Sequence, residues 1–141
     1  MAKKSPKRSD ALTRTRGHHA NETAEDYVEA VYDILSQKDQ CRVSDLAKFF
    51  AVSHVTVSRT VGRLQNEGLM ETAPYQPITL TKKGSVLAVR MKKRHELVMS
   101  FLLALGVDEK TAQIDSEGIE HHVSPQTLAA MEKFISDQPG N

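Results

Sequence analysis

"RVSDLAKFFAVSHVTVSRTVGRLQNEGLM" runs from Arg42 to Met70 and decides the fold class. Ser44 stands where a helix N-cap belongs, and Leu46, Ala47 and Phe50 follow on one helical face, so the spacing predicts a short helix. Ala51 and Val52 leave room only for a tight turn. Ser53 caps a second helix, in which Val57, Val61 and Leu64 fall at i, i+4 and i+7 and face inward. Gly68 stands in the position that ends helices. Two short helices joined so closely form a helix-turn-helix. Beyond Gly68, two short apolar runs flank Pro74-Tyr75-Gln76-Pro77 and read as a β-hairpin. A hairpin directly after the second helix makes the winged version of the motif.

The flanking segments read as helices. Thr23 is a candidate N-cap with Asp26 three residues on. Tyr27, Ala30, Val31, Ile34 and Leu35 then recur at helical spacing to about Lys38, with Asp26, Glu29 and Asp33 on the other face. Thr81 can cap a long helix to about Leu105. Its apolar stripe is Leu87, Met91, Val98, Leu102 and Leu105, His95 shares that stripe, and Gly106 ends it. A further helix is expected from Asp108 to His122. Ser124-Pro125 supplies an N-cap and an N1 proline for a last one through Ile135. The expected fold class is mainly α: a winged helix-turn-helix DNA-binding domain over residues 21–82, joined to an α-helical domain over 83–141. Residues 1–20 form a basic arm without apolar periodicity and are expected to be disordered.

The chain of 141 residues has ordinary hydrophobic content and no apolar run long enough to span a bilayer. No apolar stretch follows the basic N-terminus, so a secretory signal is not expected, and a soluble cytoplasmic protein is. The single cysteine, Cys41, excludes an intramolecular disulfide framework and a Cys-rich zinc site. The sequon Asn21-Glu22-Thr23 carries no weight in such a chain. The net charge of +1 hides an asymmetry: six basic residues (Lys3, Lys4, Lys7, Arg8, Arg14, Arg16) stand against Asp10 within residues 1–19. The arm is therefore +5 and the remaining body −4. A basic arm on a mildly acidic body fits contact with nucleic acid, and fits a solubilising tail equally.

The second helix of a helix-turn-helix enters the DNA major groove from its N-terminal end. With Val57, Val61 and Leu64 buried, the opposite face presents His54, Val55, Thr56, Arg59 and Arg63 behind the capping Ser53. Arginine can bond guanine twice, Thr and Val can meet a thymine methyl, and Ser or Thr can hold phosphate. Lys82 and Lys83, beside the hairpin, can add phosphate contacts. A winged helix used for protein contacts is the competing reading, and the arginines weigh against it. An acidic body cannot hold DNA by bulk charge, so a few well-placed cations must do it.

"EGIEHH", Glu117 to His122, puts Glu117, Glu120 and His121 at i, i+3 and i+4 of a helix, on one face, while His122 points away. Adjacent carboxylates repel unless a cation neutralises them, so the motif is either a solvated acidic face or part of a metal site. Asp26 and Glu29 repeat the i, i+3 carboxylate pair on the first helix. His95 lies on an apolar stripe, where a carboxylate-rich neighbour would give it a ligand's role. The zinc-hydrolase patterns fail, because Glu117 stands where His-x-x-Glu-His needs its first His. The di-iron template fails too, because Glu117 and His121 are four apart. No Ser-His-Asp, Cys-His or Gly-rich phosphate-loop constellation is present, so the chain is not expected to be an enzyme.

These residues together resemble the manganese transport regulators of the diphtheria toxin repressor family, metal-activated transcriptional repressors. The likeness covers about Thr23 to Ile135. It rests on "EDYVEAVY", "RVSDLAKFFAVSHVTVSRTVGRL", "LTKKG", "RHELVMSFLLALGV" and "EGIEHHVS" in family order. The resemblance implies a helical dimerisation module after the winged helix-turn-helix, with a paired metal site between them. Its ligands fall on Asp26, Glu29, His95, Glu117, Glu120 and His121, with two Mn²⁺ per subunit. Iron-responsive relatives usually have methionine where Asp26 stands and add an SH3-like domain. The carboxylate and the short chain therefore favour the manganese branch, since oxygen-rich ligation suits Mn²⁺.

The implied function is manganese-responsive repression, controlling manganese uptake and homeostasis. A homodimer would read a pseudo-palindromic double-stranded operator, and Mn²⁺ would hold it in its operator-binding arrangement. An iron- or zinc-responsive repressor of the same family is the alternative, and a carboxylate-rich metalloenzyme a more distant one.

Overall fold

The computed structural model describes residues 5 and 7–139, with residues 15–20 described for their backbone alone. The elements in order are α1 (Arg8–Gln37), α2 (Val43–Phe50), α3 (His54–Asn66), β1 (Met70–Glu71), β2 (Thr79–Leu80), α4 (Lys82–Ala104), α5 (Glu109–Ile119) and α6 (Pro125–Ser136). Two compact units result. One is Ala24–Lys93; the other joins the residues up to Thr23 with those from Arg94 onward. Among the described residues no helix is long and apolar enough to cross a membrane.

The Ala24–Lys93 unit is built round one apolar cluster. Val28 and Val31 of α1, Leu46 of α2, Val57, Val61 and Leu64 of α3, and Met70 and Ile78 of the hairpin are all at most 2% exposed. Tyr27 stacks on Phe50 with ring centroids 4.5 Å apart. The turn between α2 and α3 is closed by Ala51 in the left-handed region (φ 54°), whose N–H donates to Lys48 O, while Val52 N donates to Ala47 O. An alanine there costs about 1 kcal/mol, which the two hydrogen bonds and the packed helices offset. Ser53 Oγ accepts from Thr56 N at 3.1 Å and so caps α3. Gly68, at φ 76°, ends α3 as expected. β1 and β2 pair antiparallel, Met70 with Leu80 and Glu71 with Thr79, and form the wing.

Four boundaries differ from expectation. The first helix begins at Arg8, not near Thr23, so residues 8–20 are helical where disorder was expected. Little in that stretch is apolar, which is why periodicity missed it; residues 1–4 and 6 lie outside the described ones. The second helix is capped at Arg42, with Asp45 Oδ2 accepting from Arg42 N at 2.9 Å, and Ser44 lies inside the first turn. The long helix stops at Ala104, and Leu105, expected on its apolar stripe, is 55% exposed. The fifth helix stops at Ile119, leaving Glu120 as its C-cap and His121 and His122 in the following turn.

In the second unit, Asp108 and Ser124 cap α5 and α6 through the Thr111 and Thr127 N–H groups. Val98, Ala112, Ser116, Glu120 and His121 are buried, and Phe101 meets Phe134 edge to face at 5.4 Å.

Candidate metal centre and nucleic-acid interface

His95 projects from α4 with its side chain 27% exposed. Its Nδ1 lies 2.6 Å from Glu120 Oε2 and 3.8 Å from Glu117 Oε1. Glu120 is wholly buried, while Glu117 stays open to solvent. Arg94 Nη1 donates to Glu120 O at 3.2 Å, and Glu120 N donates to Ser116 O at 2.9 Å, so the backbone of this C-cap is held from both sides. His121, 3% exposed, follows directly, with its Nε2 3.5 Å from Glu120 Oε1.

One ligand atom from each of His95, Glu117 and Glu120 lies within 4.8 Å of the others. An imidazole nitrogen and two carboxylate oxygens at that spacing fit a divalent first-row cation. Glu120 brings a wholly buried carboxylate to this group, with His95 Nδ1 against it. The structure thus joins His95, Glu117 and Glu120. His122 lies in the turn beyond α5, with its Nε2 3.3 Å from Glu22 Oε2. Asp26 and Glu29 lie half-buried on α1, while Asp33, grouped with them from sequence, is exposed.

On α3, His54, Val55, Thr56, Arg59 and Arg63 are exposed, as is Ser53, opposite the buried Val57, Val61 and Leu64. The Ser53 and Thr56 hydroxyls also meet each other at 2.9 Å. Arg63 pairs with Glu67 at 3.8 Å across an open surface, a contact weak enough to yield to phosphate. Lys82 is exposed. Lys83 Nζ donates to Glu67 O at 3.0 Å and so closes the C-terminal end of α3.

Sequence reasoning passed over Arg94, whose backbone contact to Glu120 no spacing announces. Arg42 and Tyr75 are among the residues lining a groove between α3 and the wing.

The family model described as "Iron dependent repressor, N-terminal DNA binding domain" matches residues 19–78. The one described as "Iron dependent repressor, metal binding and dimerisation domain" matches residues 81–138. The chain is 38% identical over 125 residues to the Transcriptional regulator MntR of Escherichia coli O6:H1, covering 89% of this chain and 81% of that one. It is 40% identical over 100 residues to the HTH-type transcriptional regulator MntR of Bacillus subtilis, covering 71% and 70%. Among solved structures it resembles a "Manganese-dependent transcriptional repressor complex with manganese" at TM-score 0.72 and 27% identity, over 82% of this chain and 53% of that one. It also resembles "Structure of the manganese regulator SloR" at TM-score 0.70 and 28% identity, over 82% and 54%. The chain therefore spans about half the length of those two solved chains. With both domains matched in order, the chain belongs to the iron-dependent repressor family, that of the diphtheria toxin repressor, whose members regulate transcription and are not enzymes.

Proposed function

We propose that this protein is a manganese-responsive transcriptional repressor that acts in the cytoplasm and controls manganese uptake and homeostasis. The observation that carries the reading is the cluster of His95, Glu117 and Glu120, in a chain whose relatives are named for manganese. Asp26, Glu29 and His121 complete the proposed ligand set, which takes two Mn²⁺ per subunit. Their half-buried or buried positions support that role. The residues proposed to meet DNA are Ser53, His54, Val55, Thr56, Arg59, Arg63 and Lys82. The proposed domain division is a basic arm over residues 1–20, a DNA-binding domain over 21–82 and a dimerisation domain over 83–141. The two matched family regions, 19–78 and 81–138, support the last two.

Bound divalent cations would supply the positive charge that lets these carboxylates share one site. Asp26, Glu29, Glu117 and Glu120 repel one another without it, which opposes any arrangement that brings them together. Arg94 holds the backbone of Glu120, and Glu120 orients the His95 ring, so this half of the site is preorganised. The first helix belongs to the DNA-binding domain, so drawing Asp26 and Glu29 toward the other ligands sets the attitude of α3. In a homodimer that attitude decides the distance between two α3 helices, and hence the fit to a pseudo-palindromic operator. The DNA-competent population grows because it is the one in which the ligands converge. Linkage requires that operator DNA tighten metal binding by the same factor.

The test is fluorescence anisotropy of a labelled operator duplex with Mn²⁺, Fe²⁺, Zn²⁺ or chelator. Tight binding with Mn²⁺ and its loss with chelator are expected. DNA affinity indifferent to metal removal would sink the mechanism, and activation by Fe²⁺ or Zn²⁺ alone would reassign the metal.

A further inference from the structure

Because α5 stops at Ile119, Glu120 is its C-cap and His121 and His122 lie in the turn beyond. Residues past a helix end have no further helical turn to hold them, so the placement of His121 depends on contacts from elsewhere in the chain. A backbone bond from His122 N to Ile119 O at 3.0 Å closes the turn. On one flank Arg94 Nη1 donates to Glu120 O at 3.2 Å. On the other, His122 Nε2 lies 3.3 Å from Glu22 Oε2, with the two side chains 29% and 27% exposed. Glu120 and His121 are thus bracketed by contacts to side chains of α4 and α1.

The place of Glu22 on α1 matters. That helix runs unbroken from Arg8 to Gln37, and Glu22, Asp26 and Glu29 stand on it at i, i+4 and i+7. Glu22 therefore shares a helical face with both ligands proposed on α1. Residues up to Thr23 belong to the same compact unit as α5 and α6, so Glu22 and His122 meet inside one unit. Both side chains are partly withdrawn from solvent, which screens their contact less than an open surface would.

We propose that Glu22 and His122 are positioning residues of the metal centre. Neither is among the proposed ligands. The Glu22 carboxylate faces His122 Nε2 and holds that ring, the ring holds the turn, and the turn sets where the His121 imidazole stands. Arg94 fixes the peptide on the other side of His121. Partners one step removed from a ligand govern metal affinity by about 10–100-fold. The inference rests on the metal reading of His121 and adds what keeps that residue in place. It also gives the part of α1 before Thr23 a role in metal binding that its basic charge does not reveal.

The test is titration calorimetry of the full chain with Mn²⁺, beside the melting temperature of the metal-free protein. Glu22→Ala and His122→Ala should each weaken Mn²⁺ binding by about tenfold or more and leave the metal-free melting temperature unchanged. The double variant should lose no more than either single one, because the two residues act through one contact. Glu22→Gln keeps an oxygen that can accept the His122 Nε2–H and should restore most of the affinity. Losses that add in the double variant would overturn the proposal, as would Mn²⁺ affinity unchanged in both single variants. Glu22→Gln as weak as Glu22→Ala would overturn it too, because Glu22 would then act by its charge, as a ligand. A metal-free melting temperature that falls with the affinity would make the pair a prop of the fold. If His121→Ala binds Mn²⁺ as tightly as the unaltered chain, the metal reading of His121 itself fails, and the inference with it.

Discussion

His95 and Glu120 come from sequence positions 25 apart, and His95 Nδ1 meets Glu120 Oε2 at 2.6 Å. The contact joins α4 to the C-cap of α5 around a carboxylate that solvent does not reach. It holds two of the proposed ligands against each other.

Glu120→Gln tests that arrangement. The amide keeps the volume of the side chain and removes its charge. Loss of a mere supporting partner weakens metal binding by about 10–100-fold, so loss of a ligand should weaken it by at least that much. Titration calorimetry with Mn²⁺ reads the affinity directly, and operator binding should lose its response to Mn²⁺. Unchanged Mn²⁺ affinity would remove Glu120 from the site.

Gly84 tests how α4 is seated on the DNA-binding unit. A Cβ at this position would lie 2.0 Å from Leu69 O and 3.0 Å from Leu69 C, both backbone atoms. The same Leu69 oxygen accepts from Thr81 N at 3.1 Å, and Thr81 Oγ1 accepts from Gly84 N at 3.0 Å and donates to Gly68 O at 2.6 Å. No rotamer relieves a clash with backbone, so α4 or the Leu69 backbone must shift. Gly84→Ala should destabilise the protein by about 1–3 kcal/mol, the range for overpacking, read from urea denaturation. An unchanged midpoint would mean that the joint is looser than its distances imply.

Much of this architecture was readable in the sequence because local chemistry and tertiary packing agree there. Ser53, Gly68 and the Val57–Val61–Leu64 stripe each act within one turn of helix or bury one face, so spacing alone exposes them. The ends of α1 and α5 were not readable in this way. Residues 8–20 lack an apolar stripe, and the end of α5 at Ile119 is marked by no glycine just beyond it. The i, i+3, i+4 argument for Glu117, Glu120 and His121 thus assumed a helix that stops one residue short of Glu120. Glu117 and Glu120 still reach His95, because the C-cap keeps a helical backbone (φ −60°, ψ −28°). The Arg94 contact stayed hidden, since it joins residues 26 apart.

Asp45 gives the first turn of α2 a pH dependence. Its carboxyl is held below the usual carboxylate range, first by the hydrogen bond from Arg42 N and then by Lys38, whose Nζ lies 3.0 Å away. A depressed folded pKa adds stability above the unfolded value of about 3.9, and that stability is lost as pH falls through the folded value. Asp45→Asn should therefore cost ~0.5–1 kcal/mol at neutral pH, as for other helix-capping groups. The difference from the unaltered protein should shrink as the pH drops below about 4. Denaturation curves at neutral and acid pH measure both. A difference that persists undiminished in acid would assign the effect to packing instead of charge.

The basic arm offers a separate reading through salt. Six cations stand against Asp10 in residues 1–19, and α1 begins among them at Arg8. From Arg8 on, a helical backbone gives the arm a stiffer frame than a disordered chain has, so fewer cations of that stretch can reach a given DNA strand at once. Those that do reach it lose less freedom on binding. Removing residues 2–16 should lower operator affinity and flatten its salt dependence by about 0.9 in log–log slope for each phosphate the arm had neutralised. Because the arm reads charge and not bases, the loss should be equal on operator and unrelated duplexes. Equal slopes with and without the arm would leave it as a solubilising extension. A loss confined to the operator would mean that the arm instead supports the geometry of α3.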